Sequence, residues 1–387
     1  MRRLLNQLTH RPGPIALDIG LDSVKLLQLD TVGKAIHAVA AARWEIPLAA
    51  AADPAARREL VVQAVRDLLA GGSFRGRRVA TCLRFDELVL RQVRMPNMPA
   101  ADLEGAAQWE ANERFGFVVK PELLHVEVAG EVHQSGEGRN EVLLIGAREE
   151  TVEAHVALLA AMDLHPSWID AEPACLFRSF ERFLRRDADS ATVTVLVEVG
   201  QSDTRVMISR GRQVKFLKWI EIGGRRLNRA VADQLHLDPS EAAQLRGRLM
   251  RQGSGGGPQA VEVVGGREVY DAMYDAVRPV LEELARELNL CLRYCAVTFR
   301  GGRAEAMTLL GGQAYDPCLR ELIAESTNLP CVAGNPLQGV DLSRVNLGSD
   351  PRGPMSEWAV AAGLALRGLM EPAHRQEQAH EHSRLPA

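Results

Sequence analysis

The sequence lacks the features that would place it across a membrane, in a secretory pathway or on nucleic acid. No run of about eighteen consecutive apolar residues occurs, so we expect no membrane-spanning helix. The first residues are basic and apolar but contain no adequate hydrophobic region, which argues against a signal peptide. The formal net charge is −4, whereas a general nucleic-acid binder shows a basic excess on some face.

The cysteines give no metal site and no disulfide pattern. The six of them are scattered, and although Cys291 and Cys295 lie one helical turn apart, no second Cys or His pair completes a zinc set. We therefore expect reduced thiols in a reducing compartment. The 387 residues, 46% of them hydrophobic, are enough for two or more domains, each with its own core.

The stretch Pro14–Asp30 reads as two apolar strands joined by a tight turn. The turn brings Asp18 close to Ser23 and Lys25, beside Gly20, whose bare backbone permits close approach. Backbone amides with a lysine suit a phosphate, and a carboxylate suits the water shell of Mg²⁺. Taken alone, the same residues also fit ordinary turn chemistry.

A second stretch, Thr192–Arg205, has the same form. Glu198 and Gly200 repeat the acid and the glycine of the first turn, and Thr204 and Arg205 supply a hydroxyl and a base, displaced by one residue. Internal repetition of this kind predicts two related lobes with a polyanion held between them. The alternative is two ordinary hairpins of one large sheet.

Three further features are compatible with a ligand cleft. Glu172 stands at a strand end just before a helix, where its carboxylate is either poised over a ligand or stabilises the helix dipole. Gly311 and Gly312 follow a buried strand and let the backbone pack flat against a ring or sugar. Glu283 and Arg286 lie one turn apart on a long helix, a spacing that also fits a surface ion pair of little energetic weight.

The order of these motifs resembles the actin-like ATPase fold, and more closely the PilM family of type IV pilus inner-membrane assembly proteins, over residues 14–370. The cell-division actin homologue FtsA shares the architecture and is the nearest competing member. The motifs that carry the resemblance are LDIGxxSVK (17–25), VRMPNM (93–98), WEANERFGF (109–117), DAEPACLF (170–177), EVGxxxT (198–204), EIGG (221–224), EELAREL (282–288), LLGG (309–312) and NPLQGVDL (335–342).

The resemblance implies an α/β protein with the actin-like fold, a duplicated ribonuclease H-like architecture, carrying an inserted α+β (SHS2-like) subdomain. The expected parts are an N-terminal segment at residues 1–13, a first lobe (subdomain 1A) at 14–40 and 161–212, the inserted 1C-like subdomain at 41–160, a second lobe (2A) at 213–240 and 301–370, subdomain 2B at 241–300, and a disordered tail at 371–387.

The resemblance also implies a site for ATP and Mg²⁺ between the lobes. The expected nucleotide-binding residues are Asp18, Gly20, Ser23 and Lys25 from the first lobe, Glu198, Gly200 and Thr204 from the second, Gly223, Gly224, Gly311 and Gly312 around the ribose and adenine, and Glu283 and Arg286 at the nucleoside. Asp18 and Glu198 would hold the Mg²⁺ through water, and Glu172 would be the catalytic carboxylate near the attacking water.

Three departures from the family pattern bear on catalysis and on the inserted subdomain. Glu198 stands where the family usually has aspartate, and its extra methylene moves the carboxylate about 1.5 Å in a Mg²⁺ site that demands near-ideal geometry. Arg225 replaces a small polar residue, and Gly116 replaces a proline. The first two weigh against hydrolysis more than against binding, because turnover needs a positioned water and binding does not.

The expected function is therefore a cytoplasmic scaffold, peripheral to the inner membrane, that binds Mg-ATP and hydrolyses it slowly or not at all. Its expected partner is the short cytoplasmic N-terminal segment of a PilN-like membrane protein, bound in a groove that involves the inserted subdomain. Self-association is a further possibility. The alternatives are a small-molecule kinase of the actin superfamily and a nucleotide-free structural homologue.

Overall fold

The computed structural model describes residues 12–47, 53–134, 137–253, 266–299, 302–347 and 353–369. Within them the strands are β1 (Ile15–Ile19), β2 (Ser23–Val32), β3 (Ala35–Glu45), β4 (Arg78–Leu83), β5 (Leu88–Pro96), β6 (Leu124–Gln134), β7 (Glu137–Ala147), β8 (His165–Ala171), β9 (Val193–Val199), β10 (Thr204–Arg210), β11 (Gln213–Ile220), β12 (Met307–Leu310), β13 (Cys331–Ala333) and β14 (Val340–Asp341). The helices are α1 (Pro54–Gly71), α2 (Ala100–Phe115), α3 (Glu149–Ala161), α4 (Glu172–Glu181), α5 (Gly224–Leu235), α6 (Pro239–Gly253), α7 (Gly266–Phe299), α8 (Pro317–Thr327) and α9 (359–369).

Two sheets repeat one topology. The first has the order β14-β3-β2-β1-β4-β8 and the second the order β11-β10-β9-β12-β13. In each, three antiparallel strands are followed by two parallel ones, so that the strand order within the repeat is 3-2-1-4-5. The predicted duplicated, actin-like α/β fold is confirmed.

The first sheet is covered on both faces. Its central strand β1 alternates Ile15, Leu17 and Ile19 with Ala16, and all four are buried because the two sets face different layers of side chains. One set packs against α1 and α3, and the other packs against α4 and α9. The second layer continues into residues of β9, β10 and β12, so it is also the apolar contact between the two halves of the molecule.

The second sheet shares one core with the helices that follow it. Apolar residues of β9 to β12 pack with those of α5, α6, α7 and α8 in a single cluster. The helices predicted as subdomain 2B therefore have no separate core within the described residues.

The inserted subdomain is a small sheet with the order β5-β7-β6, covered by α2. Its own core includes Val93, Leu103, Ala107, Phe115 and Val142, which come from strands and helix alike. Phe115 and Phe117, at the end of α2, lie with ring centroids 5.7 Å apart.

Two predicted boundaries of the first lobe are wrong. Residues 193–210, assigned to the first lobe, form β9 and β10, which pair with β11 in the second sheet. Residues 41–87, assigned to the insertion, include α1 and β4, and β4 pairs with β1. The insertion proper begins with β5 and ends with β7. The error has one cause: alternation in a strand shows that it is buried but not which sheet it joins.

The end of the second lobe is also misplaced. Residues 335–369, assigned to that lobe, return to the first sheet, where β14 pairs with β3 and α9 packs on β1 and α4. The predicted N-terminal segment and the predicted disordered tail lie outside the described residues, apart from residues 12 and 13. None of the described helices is both long and apolar enough to cross a bilayer.

The packing of α9 on α4 depends on a glycine. A Cβ added to Gly363 would lie 1.9 Å from the carbonyl oxygen of Cys175, whereas one added to Gly105, on α2, would meet nothing within 4 Å. We expect Gly363→Ala to lower the free energy of unfolding by about 2 kcal/mol, since backbone must shift to admit the methyl group. Gly105→Ala should raise it by about 0.5–1 kcal/mol through helix propensity.

Urea denaturation of both variants measures this difference, with Gly105→Ala as the matched control. Equal effects of the two substitutions would show that the close approach of α9 to α4 does not constrain the fold.

Candidate functional site

The first hairpin pairs its acid with its base. Asp18 and Lys25 lie opposite each other in the β1–β2 register, and Lys25 Nζ lies 3.2 Å from Asp18 Oδ2. The turn is closed by the Gly20 amide, which donates to the Ser23 carbonyl at 2.9 Å. Asp18, Ser23 and Lys25 are all buried, at 5%, 2% and 8% exposure. The structure therefore brings these predicted residues together as a closed polar unit.

Lys25 remains charged despite its burial. Burial alone would lower the pKa of Lys25, but the carboxylates of Asp18 and Asp22 outweigh it, and the pKa is raised. A buried cation is thus held at the first turn, with Asp18 as its partner.

The second hairpin repeats this unit in the same register. Glu198 and Arg205 are paired across β9 and β10, and the Gly200 amide donates to the Asp203 carbonyl at 2.9 Å. The predicted displacement by one residue holds for Thr204, which follows its acid by six positions where Ser23 follows by five, but is wrong for Arg205, which follows its acid by seven positions as Lys25 does. Asp203, rather than Thr204, therefore occupies the place of the first hairpin's serine.

Thr204 has a structural role in this arrangement. It is fully buried, and its Oγ1 donates to the Ile222 carbonyl at 2.6 Å. The hydroxyl thereby fixes the end of β11 against the turn.

Arg205 is the centre of a carboxylate cluster that joins the two lobes. Its Nη1 hydrogen bonds to Glu198 Oε2 and lies 3.1 Å from Glu172 Oε1, and its Nη2 lies 3.0 Å from Asp203 Oδ1. Glu172 begins α4 in the first lobe, whereas the other three residues belong to the second. Burial alone would lower the pKa of Arg205, but Glu198, Glu172 and Asp203 raise it well above its ordinary value.

Glu172 is the buried acid of the first lobe. It is 4% exposed, and its Oε2 accepts a hydrogen bond from the Phe85 amide at 2.7 Å. Burial raises the pKa of Glu172 to about 8, with further upward contributions from Glu198 and Asp18 and a downward one from Arg205. The structure places Glu172 beside Arg205 of the second lobe, and both of its carboxyl oxygens already have partners within the protein.

The residues expected to hold Mg²⁺ do not fit that ion in this arrangement. Asp18 accepts from Lys25 and Glu198 accepts from Arg205, so each carboxylate already has a cationic partner. Mg²⁺ requires near-ideal octahedral oxygen ligands at about 2.0–2.1 Å, commonly including several waters. Among the described residues, no group of three or more His, Cys, Asp or Glu is arranged to hold a metal ion.

The second turn nevertheless retains unused polar groups. Ser202 Oγ, Arg205 Nε, Gln201 Oε1 and Asp203 Oδ1 are buried and have no hydrogen-bond partner within the described part of the chain. Because buried polar groups are normally satisfied, such atoms indicate a missing ligand or water. The first two are donors that can donate to a phosphate oxygen, whereas Gln201 Oε1 and Asp203 Oδ1 are acceptors and need a donor such as water.

Three of the four predicted nucleoside glycines pack against the protein itself. A Cβ on Gly223 would lie 2.6 Å from the Asp203 amide nitrogen, and one on Gly224 would lie 2.3 Å from Gln201 Oε1. Gly311, at φ +81°, would place a Cβ 2.5 Å from the Val199 carbonyl oxygen. A Cβ added to Gly312 would meet nothing within 4 Å, so of these four glycines only Gly312 has open space beside it.

Glu283 and Arg286 are not brought to the hairpins by any described contact. Glu283, on α7, forms a two-pronged ion pair with Arg226 on α5, with nitrogen–oxygen distances of 3.0 and 2.7 Å. The hydrogen bond from Arg226 lowers the pKa of Glu283. Arg286 is exposed. Glu283 thus forms a surface ion pair with Arg226 rather than with Arg286, the partner that the spacing indicated.

The site predicted from the sequence does not include a buried arginine, Arg246, which lies behind the turn at residues 311–312. Arg246 is 2% exposed, hydrogen bonds to Asp316 Oδ2, and donates to Gln313 Oε1 at 2.8 Å and to Asn228 Oδ1 at 2.6 Å. The helical spacing in the sequence indicates that Arg246 is buried. It lies four residues after Ala242 and three before Leu249, on the buried face of α6.

A groove of about 680 Å³ lies between the insertion and both lobes. It is bordered by three sheet edges, because β6, β8 and β11 are the terminal strands of their sheets. Apolar side chains line it, including Leu124, Leu143, Ile145, Ile169, Phe177, Met207 and Leu217. Charged residues border it in pairs: Asp170 lies 2.9 Å from Arg178 and 2.8 Å from Arg367, and Glu181 pairs with Arg212.

The insertion also touches the second lobe directly. Tyr294 Oη, on α7, donates to Glu141 Oε1 at 2.7 Å, and Arg94 Nε donates to Glu141 Oε2 at 2.9 Å. Gln213 Nε2, on β11, donates to the Val128 carbonyl at 2.6 Å. A change in the angle between the lobes must therefore alter the groove.

The family model for the type IV pilus assembly protein PilM matches residues 16–253, more than half of the chain. This chain belongs to the PilM family. The match includes both hairpins and the whole insertion, which are the elements that build the cleft and the groove.

Among solved structures, one has the same fold and two others are more distantly similar. A PilM–PilN type IV pilus biogenesis complex is similar with a TM-score of 0.69 and 24% identity, over 92% of this chain and 98% of that one. The ethanolamine utilization protein EutJ from Carboxydothermus hydrogenoformans has a TM-score of 0.48 and 13% identity over 92% of this chain and 90% of its own. MreB5 of Spiroplasma citri bound to AMPPNP has a TM-score of 0.48 and 11% identity over 96% of this chain and 99% of its own. No curated protein matches by sequence.

The raised pKa of Glu172 predicts a pH dependence of stability. Its pKa is about 4.5 unperturbed and about 8 in the folded protein, so the folded state binds this proton more tightly. The stability that this proton contributes is fully present below the pKa of the unfolded state and is lost as the pH rises through the pKa of the folded state. In urea titrations, we expect the free energy of unfolding of the natural protein to fall as the pH rises from about 6 to about 8.5. The free energy of unfolding of Glu172→Gln should fall less over the same range, because its side chain stays neutral.

His155 does not disturb this comparison. Burial, with a smaller effect of Arg84, lowers the pKa of His155 to about 4, so its effect on stability has the opposite sign, but both proteins contain it. Parallel pH profiles of the two proteins would contradict a proton on the folded-state Glu172.

Proposed function

We propose that this protein is a cytoplasmic scaffold of a type IV pilus or related inner-membrane assembly. It binds a short N-terminal cytoplasmic peptide of a PilN-like membrane protein, and a nucleotide between its two lobes. The observation that carries the proposal is the groove bordered by β6, β8 and β11. Membership of the PilM family and the likeness to a PilM–PilN complex support this choice of partner.

The groove suits an extended peptide for two reasons. Strands at the edge of a sheet present unpaired backbone amides and carbonyls, to which a peptide can add as a further strand. Apolar side chains such as Leu143 and Phe177 provide contacts for alternate peptide residues, and the charged pairs at the border fix its direction. A partner anchored in the inner membrane would hold the scaffold at the cytoplasmic face.

ATP is the proposed nucleotide, held between the hairpins that begin with Asp18 and Glu198. Lys25 supports an anion at this place, and so do Arg205 Nε and Ser202 Oγ, two donors that have no partner among the described residues. Hydrolysis is proposed to be slow or absent. Glu172, with a pKa of about 8, is protonated at neutral pH and cannot then accept a proton from water.

A nucleotide would act on the groove through the insertion. The insertion contacts α7 through Tyr294 and β11 through Gln213, so lobe closure would change the distance between the groove's walls. For this to alter partner binding, the peptide must have different affinities for the open and closed states.

The nucleotide-free structural homologue is a second candidate. It is favoured by the internal pairing of Asp18 with Lys25 and of Glu198 with Arg205, which satisfies the carboxylates without a ligand.

Ala174, on the groove side of α4, tests the peptide site. Arginine at this position would fill the groove with a long charged side chain, and we expect Ala174→Arg to weaken binding of a synthetic N-terminal peptide of the PilN-like protein from the same organism by at least about tenfold. Calorimetry measures the dissociation constant. Glu104→Arg, on the exposed side of α2, is the control and should bind the peptide normally.

Unchanged peptide binding by Ala174→Arg, with its fold intact by circular dichroism, would place the peptide elsewhere. The groove would then have no assigned ligand.

Lys25 tests the nucleotide site. We expect Lys25→Met to weaken ATP binding by at least about tenfold, because a buried cation beside the phosphates is lost. Lys34→Met, at the exposed β2–β3 turn of the same sheet, should bind as the natural protein does. Calorimetry at millimolar ATP measures both. Absence of binding in all three proteins would support the nucleotide-free scaffold.

A further inference from the structure

We propose that Arg205 is the built-in cation of this site and keeps divalent metal ions out of the carboxylate cluster. The nucleotide is accordingly held without a bound Mg²⁺. The second statement rests on the proposed nucleotide function, whereas the first concerns the protein alone.

The guanidinium occupies the place a metal ion would need. Nη1 lies between Glu198 Oε2 and Glu172 Oε1, and Nη2 lies 3.0 Å from Asp203 Oδ1. A hydrated Mg²⁺ bridging these carboxylates would require the same volume, because its water shell must lie between ion and oxygen. The arginine guanidinium brings one positive charge within 3.1 Å of an oxygen of each of three carboxyl groups, whereas a spherical ion with a fixed water shell needs octahedral geometry.

Arg205 is fixed in this position by the fold. Its place opposite Glu198 follows from the β9–β10 register, and its side chain is 10% exposed. Turning it away would leave Glu198 and Asp203 as buried carboxylates with no cation, which is strongly unfavourable. The first hairpin has an equivalent ion pair, because Lys25 Nζ lies 3.2 Å from Asp18 Oδ2.

The same guanidinium has a donor left for an anion. Nη1 and Nη2 face the carboxylates, while Nε is buried and has no partner within the described residues. A phosphate oxygen that accepts from Nε would meet the positive charge that Mg²⁺ supplies in metal-dependent sites. Arg205 thus pairs the site's carboxylates and presents its remaining donor to the ligand.

Mn²⁺ titration of the nucleotide-free, full-length protein tests the exclusion of metal, followed by electron paramagnetic resonance. We expect the natural protein to have no Mn²⁺ site that depends on Glu198, and Arg205→Met to gain one. Arg210→Met, an exposed position on the same strand, is the matched control and should gain none. Millimolar Mg²⁺ should raise the melting temperature of Arg205→Met and leave that of the natural protein unchanged.

A Mn²⁺ site in the natural protein that is lost in Glu198→Gln would overturn the proposal, and so would a folded Arg205→Met that binds no Mn²⁺. The titration of the natural protein and of Glu198→Gln decides the question even if Arg205→Met does not fold.

ATP titration of the natural protein tests the consequence for the nucleotide. We expect the dissociation constants in EDTA and in millimolar Mg²⁺ to agree within about twofold. Tightening by Mg²⁺ of about tenfold or more would overturn the metal-free mode. Absence of ATP binding under both conditions would instead remove the nucleotide part of the proposed function, and the Mn²⁺ titration would still decide the role of Arg205.

Discussion

The Arg205 guanidinium is the interaction on which the cleft depends. It holds Glu198 and Asp203 from its own lobe and Glu172 from the other; Asp203 and Glu172 are buried, and the Glu198 side chain is 12% exposed. Without this cation the turn of the second hairpin would place the carboxylates of Glu198 and Asp203 without a cationic partner in a largely desolvated site. The arrangement of the two lobes is thus stabilised by this cluster as well as by the apolar layer.

Much of the fold could be predicted from the sequence because local residue patterns indicate the strands and turns. Alternating apolar residues around an acid-x-Gly turn indicated both hairpins, and their repetition indicated the duplicated lobes. Sheet membership was not accessible, because residues 193–210 have the same alternation whichever sheet they join. The β9–β10 pairing, which the structure supplies, was needed to place them.

The site was predictable to a similar degree. Asp18 does lie against Lys25, and Glu172 and Glu198 both lie against Arg205, since turn chemistry and strand ends place polar groups at the ends of the strands. The partner of each buried charge could not be derived, because cross-strand register and lobe contact decide it. Arg205 was noted only as a base in a motif, and Arg246 was hidden in an apolar stripe whose period it matches.

The two repeats are elaborated at different connections. In the first, the path from β4 to β8 contains the insertion, whereas in the second the path from β12 to β13 contains only α8 among the regular helices and strands of the described residues. The second repeat is instead enlarged between β11 and β12, by α5, α6 and α7. Two halves with the same strand order therefore differ in what they carry: the first carries the inserted subdomain and the second a wall of helices.

The contact of these two elaborations, at Tyr294 and Glu141, has a mechanical consequence. It is a second point of attachment between the halves, remote in sequence from the one at Arg205 and Glu172. The halves are also joined by the Gln213–Val128 hydrogen bond and by the apolar layer that α4 and α9 share with β9, β10 and β12. A displacement of the second half must therefore either carry the insertion with it or break the Tyr294–Glu141 contact.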